Sequence, residues 1–327
     1  MSAALKAPAD SQARSACVIG AGVAGLTAAH LLRARGWNVA ASGTPRASFG
    51  AILLRETTAR LLLAIWGDTD GTLLRGARRL HGRRVLWGTE PEARVAQPAY
   101  AIELSMLVAA LAERVGRLAP DSADACAWTL AATDDAASPL GPARRHGVRR
   151  AWIADVALSP LAPRDEAVLE GVDGGWFMLL PDGSGRGTLQ AVAARASDAP
   201  PFDDLRARTR LMRDLVGEVC AQAGPFPCMP RLRAPAAGSR TIAVGEAALA
   251  CDPLCGDGVG HALRGAVAAA SALQAIAAGA PEAEALRRYD AGLAFAMRRH
   301  LGACIAHYEA AGGGWDAEIA AMCDAAG

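Results

Sequence analysis

The chain has 327 residues, with Lys+Arg 34 against Asp+Glu 33 and a formal net charge of +1, which suits one large or two intertwined domains with an ample core. That balance argues against nucleic acid or an anionic membrane as the main partner. The basic residues are almost all arginine, because Lys6 is the single lysine.

Residues 1–16 read as a polar, Ala/Pro-rich tail with no signal-peptide pattern. Next, Cys17 to Ile19 is a short apolar strand, and Gly20, Gly22 and Gly25 follow in the G-x-G-x-x-G spacing. Gly20 permits a tight turn, Gly22 lets backbone approach a diphosphate, and Gly25 lets helix and strand pack closely. A helix is predicted from Val23 to Arg35, closed by Gly36, and a second strand from Trp37 to Ala41. The helix start aims the N–H groups of Val23, Ala24 and Gly25 at a diphosphate. Strand, glycine turn, helix and strand together make a dinucleotide-binding unit. The carboxylate that usually ends the second strand and binds ribose is missing: Gly43 holds that place, between Ser42 and Thr44.

Residues 46–60 read as a connection, and Glu56 to Trp66 as a helix with Leu61, Leu62, Ile65 and Trp66 on one side. Arg83 to Trp87 reads as a strand and Leu104 to Val115 as an amphipathic helix. Trp128 to Ala132 is a strand ending in the turn Thr133-Asp134-Asp135. Trp152 to Leu158, Gly175 to Leu180 and Thr188 to Ala194 read as strands of one sheet, with Pro181 to Gly185 as a hairpin loop. Leu205 to Ala223 reads as a helix, and Thr241 to Val244 as a strand after a Pro-rich passage. From Gly258 the chain is helical, with a break near Gly279 to Pro281. The apolar run 241–280 is interrupted by Asp252, Pro253, Asp257, His261 and Arg264 and is not a membrane span. Eight cysteines are scattered without a Cys-x-x-Cys pair. They read as reduced, mostly buried thiols of a cytoplasmic protein, with no disulfide framework, zinc site or other metal.

The second informative stretch runs from Ala243 to Leu263. It is a strand, an acidic turn at Gly245-Glu246, the loop Cys251-Asp252-Pro253-Leu254-Cys255-Gly256-Asp257, and a helix from Gly258. Gly256, Gly258 and Gly260 permit close approach to a flat ligand. These residues resemble the flavoprotein monooxygenases of the p-hydroxybenzoate hydroxylase type. The Asp-Pro-Leu-x-Gly-x-Gly wording is most similar to the flavin-dependent tryptophan halogenases and to the flavoproteins that mature tryptophylquinone enzymes. Ser48 to Gly67 and His307-Tyr308 to Trp315 resemble the same branches.

The resemblance implies an α/β fold: a Rossmann-like FAD-binding domain (14–60, 98–150 and 236–276), an inserted antiparallel-sheet substrate domain (61–97 and 151–235), and C-terminal helices (277–327). It implies that Gly20, Gly22, Val23, Ala24 and Gly25 hold the FAD diphosphate and that Glu246 faces the ribityl or diphosphate portion. Asp252, Pro253, Gly256, Gly258, Val259 and Gly260 would line the isoalloxazine, with the helix dipole at Gly258 favouring negative charge on the reduced ring. His261 and Asp252 are the catalytic candidates; for His261 the plainer alternative is a helix-end histidine facing solvent or a core hydrogen bond. Trp176 and Met178 would line the substrate face of the sheet, with core packing as the alternative.

The implied reaction is hydroxylation of an electron-rich aromatic group, either in a small molecule or in a tryptophan of a peptide or protein. Electrons would come from NAD(P)H or a separate flavin reductase. Halogenation ranks lower: the expected lysine is absent from the body of the chain, and Met178 stands in the second tryptophan's place in Trp176-Phe177-Met178-Leu179-Leu180-Pro181. A flavin-free binding module is the reading from another class.

Overall fold

The computed structural model describes residues 14–45, 48–116, 126–194, 201–202 and 204–326. Most of the N-terminal tail, and residues 46 and 47 of the connection, lie outside them.

The first strand spans Ser15–Ile19 and pairs in parallel with Asn38–Ser42 on one side and Trp128–Ala131 on the other. Thr241–Ala243 adds to Trp128–Ala131, also in parallel, and Ala237–Gly238 closes the edge antiparallel. These strands carry almost unbroken apolar runs because helices cover the sheet. Helix α1 (Val23–Ala34) buries Leu26, Ala28, Ala29 and Leu32, and the chain turns at Gly36 in a left-handed conformation. Helix α2 (Glu56–Trp66) buries Ala59, Leu62 and Trp66, and Trp66 stacks on His30 of α1. Helix α3 (Leu104–Val115) buries Leu107, Val108 and Leu111. Helix α4 (Gly258–Ala277) presents Leu263, Ala266, Ala269, Ala270 and Leu273 to the same core.

The second large sheet has seven strands in the order Val216–Pro227, Arg150–Leu158, Arg186–Ala193, Gly175–Pro181, Glu166–Val172, Gly82–Leu86 and Ala93–Val95. It is antiparallel except where Glu166–Val172 meets Gly82–Leu86 in parallel. Every residue of Gly175–Pro181 is buried. Trp176, Met178 and Leu180 face the C-terminal helices α5 (Glu282–Glu309) and α6 (Asp316–Ala326); Phe177 and Leu179 face a separate cluster with Met212 and Leu215. Among the described residues, no helix is long and apolar enough to cross a membrane.

The helix expected over 205–223 is corrected. Only the turns Leu205–Arg208 and Met212–Leu215 are helical, and Val216–Pro227 is an edge strand on Arg150–Leu158. The buried carboxylate of Glu170 accepts the backbone N–H groups of Arg210, Leu211 and Met212. That capture halts the helix, and the open edge of the sheet takes the following chain.

Candidate functional site

The first glycine bend has the geometry its spacing requires. A Cβ on Gly25 would stand 2.0 Å from the carbonyl oxygen of Gly20, so strand end and helix can touch only through glycine. Gly20 has φ +120 and packs on Ala132 and Thr133. Gly22 is exposed, and a Cβ there would meet nothing within 4 Å. No side chain caps α1, so the N–H groups of Val23, Ala24 and Gly25 stand at an open helix start.

The missing ribose carboxylate has a structural counterpart. Gly43 has φ +119 and lies so close to the bend that a Cβ would stand 3.1 Å from Gly20 Cα. Position 43 is therefore built for glycine rather than for an acidic side chain. Asp134, in the turn after Trp128–Ala131, forms ion pairs with Arg231 (2.6 Å) and Arg233 (3.1 Å).

The second bend lands directly on the first. Gly245, with φ +62, comes so near α1 that a Cβ would stand 2.6 Å from Ala24 Cβ. Glu246 is exposed beside it. Further on, Pro253, Gly256 and Val259 are half-buried, Gly260 is buried, and Gly258 is exposed with nothing within 4 Å of a would-be Cβ. The loop is clamped by Asp257, whose buried carboxylate accepts a hydrogen bond from Thr58 and pairs with Arg55 and Arg264, each at 2.6 Å. Burial pushes the Asp257 pKa up, but the bonds from Thr58 and Arg264 outweigh it and hold it below the ordinary carboxylate value. A Cβ on Gly260 would collide with that carboxylate, at 2.2 Å. The role of Asp257 was not legible in the sequence, because two of its three partners, Arg55 and Thr58, come from the strand Ala51–Arg55 and helix α2, about two hundred residues away.

Asp252 requires a correction. It was expected to line the flavin and act there, but it is 0% exposed. Its Oδ2 accepts from Arg149 (2.5 Å) and from the Tyr308 hydroxyl (2.9 Å), and its Oδ1 accepts from the Leu254 N–H (2.8 Å). Arg149, itself fully buried, also pairs with Glu318 of α6 at 2.9 Å. Asp252 thus anchors the loop to the C-terminal helices from behind. Trp176 and Met178 take the core-packing alternative. The Trp176 indole is fully buried and donates to Tyr308, which stacks on Trp315 at 3.9 Å. Both side chains fill core because the C-terminal helices cover that face of the sheet.

A cavity of about 250 Å³ opens beside the loop, lined in part by Arg55, Arg83, Leu254, Cys255, His300 and His307. His261 is not among its lining residues. It is half-buried on the first turn of α4, edge-on to His300 at 6.3 Å. Burial, helped by Arg264, His300 and Arg55 against the pull of Asp257, pushes its pKa down to about 4, so its ring is neutral at pH 7. Of the wall histidines, both on α5, His307 was noted only within the stretch that resembles the flavoprotein branches, and His300 was not singled out in the sequence.

The residues present fit a dinucleotide at the diphosphate end, where Gly22 leaves a cradle that a side chain would fill. They fit a flat ring at Gly258 for the same reason. The ribose position offers backbone only.

No protein-family profile and no curated protein sequence matches the chain. Solved structures do. The peptidyl tryptophan dihydroxylase QhpG, essential for tryptophylquinone cofactor biogenesis, matches with a TM-score of 0.71 and 19% identity over 95% of this chain and 78% of its own. The flavin-dependent halogenase CmlS matches with a TM-score of 0.73 and 16% identity over 94% of this chain and 67% of its own. PqsL, a probable FAD-dependent monooxygenase from Pseudomonas aeruginosa, matches with a TM-score of 0.70 and 18% identity over 95% of this chain and 99% of its own. At these identities the likeness establishes the fold: this chain is built on the architecture that those flavin-dependent halogenases and monooxygenases share.

Proposed function

We propose that the chain binds FAD and oxygenates an electron-rich aromatic group held in the cavity beside Cys255. The observation that carries this reading is the meeting of the two bends. Gly245 rests on Ala24, while Gly22 and Gly258 both leave open backbone at the surface. The N–H groups of Val23, Ala24 and Gly25 would hold the diphosphate, with Gly20 shaping the turn. Glu246 would face the ribityl portion. Pro253, Gly256, Gly258, Val259 and Gly260 would lie along the ring system, with α4 directing its positive end there. When bound, FAD would supply the activation of oxygen. The protein's own part is to position the aromatic group and exclude water; Leu254 gives the cavity an apolar wall, and Arg55 and Arg83 a cationic one. His261 would stand as a neutral ring beside His300 of that wall.

The substrate is an aromatic small molecule or a tryptophan in a peptide or protein, and the tryptophan reading leans on the likeness to QhpG. Electrons come from NAD(P)H or from a partner flavin reductase, and the eight free cysteines suit the reducing cytoplasm. Halogenation is the lower-ranked alternative within the same fold, kept open by the likeness to CmlS.

A flavin-free binding module is favoured by two observations, the glycine built into position 43 and the locked Asp134 turn. One experiment separates the readings. Full-length protein is titrated with FAD and followed by visible absorbance and flavin fluorescence. Uptake is expected for the wild type. Gly22→Leu, whose side chain enters open space and leaves the fold intact, is expected to abolish it. A wild-type protein that ignores FAD sinks the enzyme reading; a Gly22→Leu variant that binds normally sinks the placement of the diphosphate. Product mass after turnover in bromide then distinguishes gain of oxygen from gain of halogen.

A further inference from the structure

Cys251 and Cys255 flank the turn that begins at Asp252, and α5 carries His300 and Cys304 one helical turn apart against it. The Sγ atoms of Cys251 and Cys255 and a ring nitrogen of His300 lie within 4.8 Å of one another. The Cys304 Sγ stands 3.4 Å from His300 Nε2. All four side chains carry soft or borderline donors, and all the cysteines are free. Cysteines used only as small core residues have no reason to gather around one imidazole. Cys255, His300 and Cys304 also line the cavity, which gives an ion a way in. With Zn–S near 2.3 Å and Zn–N near 2.0–2.1 Å, ligand atoms around one tetrahedral ion sit roughly 3.4–3.8 Å apart, so closing Cys251, Cys255 and His300 on an ion takes side-chain shifts on the order of 1 Å, with Cys304 swinging in from beside His300 as the fourth ligand.

We propose that Cys251, Cys255, His300 and Cys304 form a binding site for a zinc-class divalent cation. Each thiol gives its proton to water on binding. Two thiolates neutralise the dication, and the third leaves one negative charge beside Arg55 and Arg83 of the cavity lining. His300 Nε2 accepts the Asp252 N–H at 2.7 Å. On capture that lone pair passes to the ion, and the amide turns to a thiolate sulfur, a usual kind of outer support for a metal ligand. The ion would fasten the second glycine bend to α5. The proposal does not depend on flavin, and its tests read metal.

The full chain, purified in reducing buffer without chelator, is analysed for metals by mass spectrometry, then stripped and titrated with Co²⁺. Expected are near-stoichiometric zinc, a thiolate-to-cobalt charge-transfer band and a rise in Tm on refilling. Cys251→Ser/Cys255→Ser and His300→Ala should lose metal and band. Cys220→Ser, on the exposed edge strand, should keep both. Should the inner variants fail to fold, alkylation mapping of the wild type decides: Cys251, Cys255 and Cys304 should become more reactive after chelation. The proposal is overturned by a chain that takes up neither Zn²⁺ nor Co²⁺, by alkylation indifferent to chelator, by metal loss in Cys220→Ser, or by an intact mass two hydrogens light from a Cys251–Cys255 disulfide.

Discussion

Gly22 and Gly25 sit three residues apart and have opposite surroundings. Alanine at 22 would project into free space, whereas alanine at 25 would press on the Gly20 carbonyl at 2.0 Å. Gly22→Ala should therefore leave the denaturant midpoint unchanged, while Gly25→Ala should cost about 1–3 kcal/mol through overpacking. Equal midpoints for the two variants would contradict the close strand–helix contact. His261 gives a pH signature. Its folded pKa of about 4 lies below its ordinary 6.5, so between those values the unfolded chain binds the proton first. Stability is thus lost as pH falls from 6.5 to about 4, and His261→Gln should remove that component of the slope. Chemical denaturation of both proteins across that window tests it, and parallel curves would show that His261 is not desolvated. The glycine spacing was legible because local chain geometry dictates it. Asp257 was not, because a carboxylate shows its purpose only when Thr58, Arg55 and Arg264 are brought around it.

At the scale of elements, the loop of the second bend is tied to α6 by a buried chain of charges, Asp252–Arg149–Glu318. Removing one member strands the others without water. Arg149→Met should cost about 3–5 kcal/mol in urea unfolding. Adding Asp252→Asn and Glu318→Gln to it should recover part of that loss, because no bare charge then remains. A harmless Arg149→Met would mean that water reaches the network. Helices α1 to α3 were readable from the glycine that closes α1 and from apolar spacing in α2 and α3, and α4 and α5 as one helical stretch broken near Gly279 to Pro281. The stretch 205–223 was not, because its composition suits a helix while Glu170 and an unfilled sheet edge, both distant in sequence, reward a strand. Trp176 and Met178 stayed open between a substrate face and core packing for the same reason: alternation marks which side chains share a face, but not that α5 and α6 arrive to cover it.

At the scale of the whole molecule, the order of elements announced the class of fold, since strands and helices alternate, then strands follow one another, then helices. What no local pattern announces is how the central sheet is threaded. Cys17 pairs with Thr129, and Thr129 with Thr241, so each neighbour enters after more than one hundred residues of intervening chain. Those pairings are among the last that diffusion of a nascent chain can find. Until Thr241–Ala243 docks, the strand Trp128–Ala131 offers a bare apolar rim of unpaired amides, the kind of edge that neighbouring molecules seize. Biogenesis of this protein is therefore a race between closing that rim and clumping. Conditions that lengthen the race, such as crowded overexpression, should yield inclusion bodies before they yield a damaged site.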